Sequence, residues 1–109
     1  MKFKIIAVPT FLKKIKRLTK KYRSIKANLT DLFELLETNP RIGTPLGHNC
    51  YKIRLAISSQ TKGKSNGARL ITNFVIADTT VYLLSIYDKS EKINLTDKEL
   101  KELLKLVPE

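Results

Sequence analysis

Between Tyr51 and Arg69 the chain reads YKIRLAISSQTKGKSNGAR, and five cations fall within that stretch: Lys52, Arg54, Lys62, Lys64 and Arg69. Alternation from Cys50 to Ser58 puts Tyr51, Ile53, Leu55 and Ile57 on one face of a strand and Lys52, Arg54, Ala56 and Ser58 on the other. A Gly/Ser/Asn loop carries Lys62 and Lys64, and Arg69 opens the next strand. No acid occurs between Tyr51 and Ile76 to neutralise them. Guanidinium groups clamp phosphates with two parallel hydrogen bonds and stay charged at any working pH. Lysines crowded by other cations titrate lower and approach the range of a general base. The hairpin therefore has the makings of a phosphate-handling site, and nucleic acid is the polyanion that a small, strongly basic chain most often meets.

The charge balance of the whole chain points the same way. Its 109 residues carry 21 Lys+Arg against 10 Asp+Glu, a net charge of +11, with 42% hydrophobic and 28% charged residues. That composition fits one folded domain over residues 1–109, with a modest core. From Lys2 to Lys26 every ionisable residue is basic, and the first acid is Asp31. A lone Cys50 makes no internal disulfide, no apolar run approaches a membrane span, and Lys2 and Lys4 come too early for a signal peptide. A cytoplasmic protein without a membrane partner is the expectation.

Positioning those cations requires elements, and the pattern supplies them. Lys2 to Val8 alternates as a short strand, which Pro9 and Thr10 end as they open a helix. Phe11, Ile15, Leu18, Tyr22 and Ile25 recur at helical spacing, with Lys13, Lys14, Lys16, Arg17, Lys20 and Lys21 largely off that stripe. A break at Arg23-Ser24, with Ser as N-cap, separates a second helix marked by Leu29, Leu32, Phe33 and Leu36, which stops at Asn39-Pro40. Arg41 to Asn49 reads as a loop. Ala68 to Ala77 and Thr80 to Tyr87 read as central strands joined by a tight turn at Asp78-Thr79. Thr96 and Glu99 form a capping box for a last helix with Leu100, Leu103, Leu104 and Val107 on its apolar face and Pro108 closing it. The order is β-α-α-β-β-β-α. It predicts an α+β fold with a small, mostly antiparallel sheet, an N-terminal helical hairpin and a C-terminal helix.

Element order and motifs together resemble the RelE/ParE superfamily of bacterial toxins, and within it the HigB-like and RelE-like toxins of type II toxin–antitoxin modules. The likeness spans nearly the whole chain. It is most specific in YKIRLAISS, KGKSNGARLIT and YLLSIYDKSEKINLTDKE, in that order. It implies a ribonuclease that cuts messenger RNA on the ribosome, with no cofactor, and a cognate antitoxin that holds it inactive. Carried over residue by residue, it points to Arg54, Lys62, Lys64, Arg69, Tyr87 and Lys89 as the catalytic set, with Glu91 in the same YDKSE motif. In that reaction the 2′-hydroxyl attacks the adjacent phosphate, which needs a base, cations for the developing charge and an acid for the 5′-oxygen. Arg54 and Arg69 suit charge stabilisation. Lys62 and Lys64 suit the roles of base and stabiliser. Tyr87 suits stacking on a base, and Lys89 suits the leaving group. Lys13, Lys16, Arg17, Lys20 and Lys52 suit docking on ribosomal RNA.

Plainer readings stand beside these. A Lys/Gly/Ser loop is commonly a solvated turn, Tyr87 equally packs against the last helix, and Glu91 pairs with Lys89 or Lys92. His48 reads as a surface residue, Cys50 as a small buried hydrophobe, and the two together make no metal set. TKGKS is not a phosphate-binding loop, since Ser58 stands where that motif needs glycine and a strand follows instead of a helix. Two other functions share the fold or the charge: a DNA gyrase inhibitor of the ParE branch, and a nucleic-acid-binding module without catalysis.

Overall fold

The computed structural model describes residues 2–57, 67–92 and 94–108. Strand β1 (Lys4–Ala7) runs into Val8, whose extended backbone caps helix α1 (Pro9–Lys21), with proline in its first turn. Proline has no amide to leave unpaired there. Phe11 and Leu18 are buried on the expected stripe, and Lys20 and Lys21 lie in the last turn, where cations suit the negative end of the helix. Helix α2 (Ile25–Thr38) buries Ile25, Leu29, Leu32 and Leu36. Ser24 does occupy its N-cap, but the side chain makes no capping hydrogen bond. Asn39 is extended ahead of Pro40 and ends the helix, as expected.

Strands β2 (Thr44–Gly47), β3 (Cys50–Leu55), β4 (Ala68–Val75) and β5 (Thr80–Asp88) join β1 in one sheet of order β1-β5-β4-β3-β2. The meander β3-β4-β5 is antiparallel as expected, both β4 and β5 are central, and β1 lies parallel to β5. β2 corrects the sequence reading, which took 41–49 as a loop. Its four residues include Pro45 and Gly47, a composition tolerated only at a sheet edge, where β2 sits. The β2–β3 turn places His48 and Asn49 in left-handed conformations, φ 55° and 58°. Asn73 on β4 holds that turn by donating Nδ2–H to the His48 carbonyl at 2.9 Å. The β4–β5 turn is longer than two residues: Ile76–Asp78 make a 3₁₀ turn before Thr79 at φ 47°.

Residues directly opposite across strands share a sheet face. Leu55, Ala68 and Asp88 form one such row, and Ile53, Leu70 and Ile86 the next on that face. Asp88 meets Lys21 and Tyr22 there, so this face lies under the helical hairpin. Helix α3 (Asp97–Leu104) is held by the expected capping box of Thr96 and Glu99 and ends at Leu104, short of Val107. Its residues share clefts with Ser85 and Tyr87 on one side and with Leu46 and His48 on the other, so it crosses the opposite face. The sheet is thus covered on both sides. No described helix is long and apolar enough to cross a membrane.

Candidate active site

Arg54 on β3, Arg69 on β4 and Tyr87 on β5 stand in one cross-strand row, Arg54 opposite Arg69 and Arg69 opposite Tyr87. Adjacent positions in such a row lie about 5 Å apart, so three separate strands bring these side chains together. Their exposure differs sharply. Arg54 is exposed, whereas Arg69 is 4% and Tyr87 6% exposed. Arg69 thus sits buried on a central strand while its neighbour Arg54 stays open to solvent. Arg69 donates one Nη1–H to the Ala68 carbonyl at 3.1 Å. Among the described residues, its Nη2 and the Tyr87 hydroxyl have no hydrogen-bond partner. Burial, and then the charge of Arg54, lower the Arg69 pKa, and burial raises that of Tyr87 against the pull of Arg69 and Lys92. Tyr87 is therefore a neutral phenol, a donor beside a guanidinium whose second amino group has no partner among the described residues.

Lys52 lies on the same face one row away, opposite Ile71, and is half-buried between Thr44 on β2 and β4. Lys89 follows β5, half-buried, and its amide donates to the Gly67 carbonyl at 3.1 Å. Gly67 ends the cationic loop and touches β3 so closely that a Cβ would stand 2.2 Å from the Leu55 carbonyl oxygen. Lys62 and Lys64 lie outside the described residues.

The helix cations fall into two groups. Lys13, Lys16 and Lys20 are exposed. Arg17 is also exposed, and it is bonded to Glu91. Glu91 also accepts from Lys21 Nζ at 3.0 Å, so its partners are on α1 and not the neighbouring Lys89 or Lys92. Lys92 instead bonds Glu99 at 2.6 Å. A cleft of about 550 Å³ runs along this seam, lined by Thr10, Lys13, Lys14, Arg17, Tyr87 and Lys92 among others.

Sequence reasoning missed Asp88. It is 3% exposed and accepts from Lys21 at 3.0 Å and from Tyr22 Oη at 2.5 Å. The signal was present in the charge pattern. The chain up to Lys26 holds no acid, and DKSE supplies two next to the most apolar strand. His48 is exposed and Cys50 buried, as expected. Among the described residues no three His, Cys, Asp or Glu side chains gather as a metal set.

Residues 10–108 match the family described as the RelE toxin of the RelE/RelB toxin–antitoxin system, and this chain belongs to that family. Its fold is similar to that of an arginine-to-alanine double mutant of the E. coli toxin RelE in the free state. The TM-score is 0.63 and the identity 19%, over 99% of this chain and 100% of that one. It is also similar to a chain of the intact E. coli RelBE toxin–antitoxin complex, with a TM-score of 0.59 and 22% identity over 77% of this chain and 93% of that one.

Proposed function

We propose that this protein is a ribosome-dependent endoribonuclease that acts in the cytoplasm and inhibits translation by cutting messenger RNA. The observation that carries the reading is the buried Arg69 guanidinium, whose Nη2, like the neighbouring Tyr87 hydroxyl, has no hydrogen-bond partner among the described residues. Burying a charged group without partners costs free energy, and such a group is well placed to meet a ligand that supplies them. A phosphate oxygen in the row would receive donors from Arg69 and Tyr87 and the open charge of Arg54. The 2′-hydroxyl attacks the adjacent phosphorus, the 5′-oxygen leaves, and these donors hold the charge that builds on the non-bridging oxygens. A lysine of the cationic loop, Lys62 or Lys64, takes the hydroxyl proton, and Lys89 protonates the leaving oxygen. Positioning of the RNA by the ribosome supplies much of the rate through orientation.

The same reading gives the protein an antitoxin as its partner, as the RelE chain has in the E. coli RelBE complex. An acidic or amphipathic segment fits a molecule of net charge +11. The test of the activity is single-turnover cleavage of messenger RNA on programmed ribosomes. Arg69→Ala should slow it about 100- to 1,000-fold, the usual cost of one transition-state donor, in protein shown to be folded by circular dichroism. Wild-type cleavage by folded Arg69→Ala would sink the assignment and leave the gyrase-directed and pure binding readings in its place.

A further inference from the structure

Asp88 has no part in the reaction just described, yet its carboxylate accepts four hydrogen bonds beside the row. It closes β5 directly after Tyr87 and lies opposite Ala68, the neighbour of Arg69. A carboxylate that is 3% exposed is tolerable only when its oxygens are satisfied. Here Oδ2 accepts from Tyr22 Oη at 2.5 Å and from Lys21 Nζ at 3.0 Å. Oδ1 accepts from the Ser90 amide at 2.9 Å and Ser90 Oγ at 2.7 Å. The Asp88 carbonyl accepts the amides of Glu91 and Lys92, both at 3.0 Å. The turn that leaves β5 is thus tied at one residue, and Tyr22 ties that residue to the helical hairpin.

That turn carries more than itself. Tyr87 precedes Asp88, Lys89 follows it, and the Lys89 amide fastens Gly67 at the end of the cationic loop. Gly67 in turn abuts the Leu55 carbonyl one residue from Arg54. A shift of Asp88 would therefore move Tyr87, Lys89 and the loop's end together, relative to Arg54 and Arg69. We propose that Asp88, held by Tyr22 and Ser90, is a positioning residue for the cleavage reaction, setting Tyr87 and Lys89 against the arginine pair. The proposal rests on the ribonuclease reading. It differs from a plain stabilising clamp, which would change how much protein is folded but not how fast folded protein cuts.

The experiment is single-turnover cleavage on programmed ribosomes by wild type, Tyr22→Phe, Ser90→Ala, Tyr87→Phe and the double variant Tyr22→Phe/Tyr87→Phe, with folded fraction read by circular dichroism. Folded Tyr22→Phe should cut about 10- to 100-fold slower at saturation, the scale of a sub-ångström to 1 Å misplacement, with its half-saturating ribosome concentration unchanged. Ser90→Ala, at an exposed turn position, should lose rate in the same sense and carries the test if Tyr22→Phe does not fold. The loss from Tyr22→Phe should shrink in the Tyr87→Phe background, because coupled residues are not additive. Wild-type rates in folded Tyr22→Phe and Ser90→Ala, or losses that multiply in the double variant, would overturn the proposal. If wild type itself cuts no RNA, the ribonuclease reading fails first, and an NMR titration of the tyrosine rings then decides the geometry. The Tyr87 phenol should titrate closer to its ordinary value in Tyr22→Phe than in wild type. An unchanged Tyr87 titration would show that Tyr22 does not set its place.

Discussion

Arg69 is the residue at which sequence and structure part most clearly. The sequence shows an arginine opening a strand, and such a residue is ordinarily solvated. The structure buries it to 4% exposure between Arg54 and Tyr87, and no alternation pattern could reveal that, because the burial comes from elements distant in sequence. The consequence is a conflict between stability and activity. A buried guanidinium with one amino group lacking a partner among the described residues, beside a second arginine, costs folding free energy, and functional sites commonly carry such costs. Arg69→Met keeps most of the volume and removes the charge. It should leave thermal stability unchanged or raise it by about 1 kcal/mol while abolishing cleavage. Chemical denaturation run beside the ribosome assay checks both halves. A clear loss of stability in Arg69→Met would mean that the guanidinium is satisfied in the folded protein, and the phosphate-receiving role would lose its support.

Elements were legible wherever one face or one motif decided them. The stripe from Phe11 to Tyr22, the stop at Asn39-Pro40 and the Thr96/Glu99 capping box all translate into observed structure. β2 was not legible, since Thr44–Gly47 has no alternation and its pairing is fixed by the neighbouring strand and by Asn73. The turn after β5 was half legible: its residues stood out as a motif, but their partners on α1 lie some 70 positions away. That turn makes the fold acid-sensitive in a definite window. Burial pushes the Asp88 carboxyl up, but hydrogen bonds from Tyr22, Ser90 and Lys21 more than offset this and bring it down to about 2. Glu99, bonded to Lys92 and to the Thr96 amide, also sits at about 2. A carboxylate with a lowered folded pKa stabilises fully above its unfolded value, near 4, and loses that contribution as pH falls through the folded value. Thermal stability should therefore hold between about pH 5 and 7 and fall from about pH 4 to 2. Asp88→Asn should melt lower at neutral pH and lose less on acidification. A variant with the same acid slope as wild type would remove Asp88 as the cause.

At the scale of the whole molecule, the charge that was plain from composition is divided by the fold into bonded and free parts. Asp88 and Glu91 hold Lys21 and Arg17, and Glu99 holds Lys92, so these cations fasten the protein together. Lys13, Lys16 and Lys20 remain exposed on α1, and Lys13 lines the cleft that reaches Tyr87. The two groups should behave differently towards a polyanion. Binding of ribosomes or RNA should weaken steeply with salt, because each phosphate contact releases counterions, with a slope of about 0.7 to 0.9 per contact on a log–log plot. Neutralising Lys13, Lys16 and Lys20 to Gln should each lower that slope by roughly one contact and weaken binding across RNA sequences alike. Their folding should stay as it is, since exposed single charges contribute little. Arg17→Gln should show a smaller change of slope, because Glu91 already engages it, with at most a small loss of thermal stability, since an ion pair this exposed contributes little. The measurement is ribosome association by fluorescence anisotropy between low and physiological ionic strength, with melting curves on the same samples. A flat salt dependence in wild type would remove RNA as the main partner, and an Arg17→Gln slope equal to that of Lys16→Gln would show that the Glu91 bond does not withhold the Arg17 charge from the polyanion.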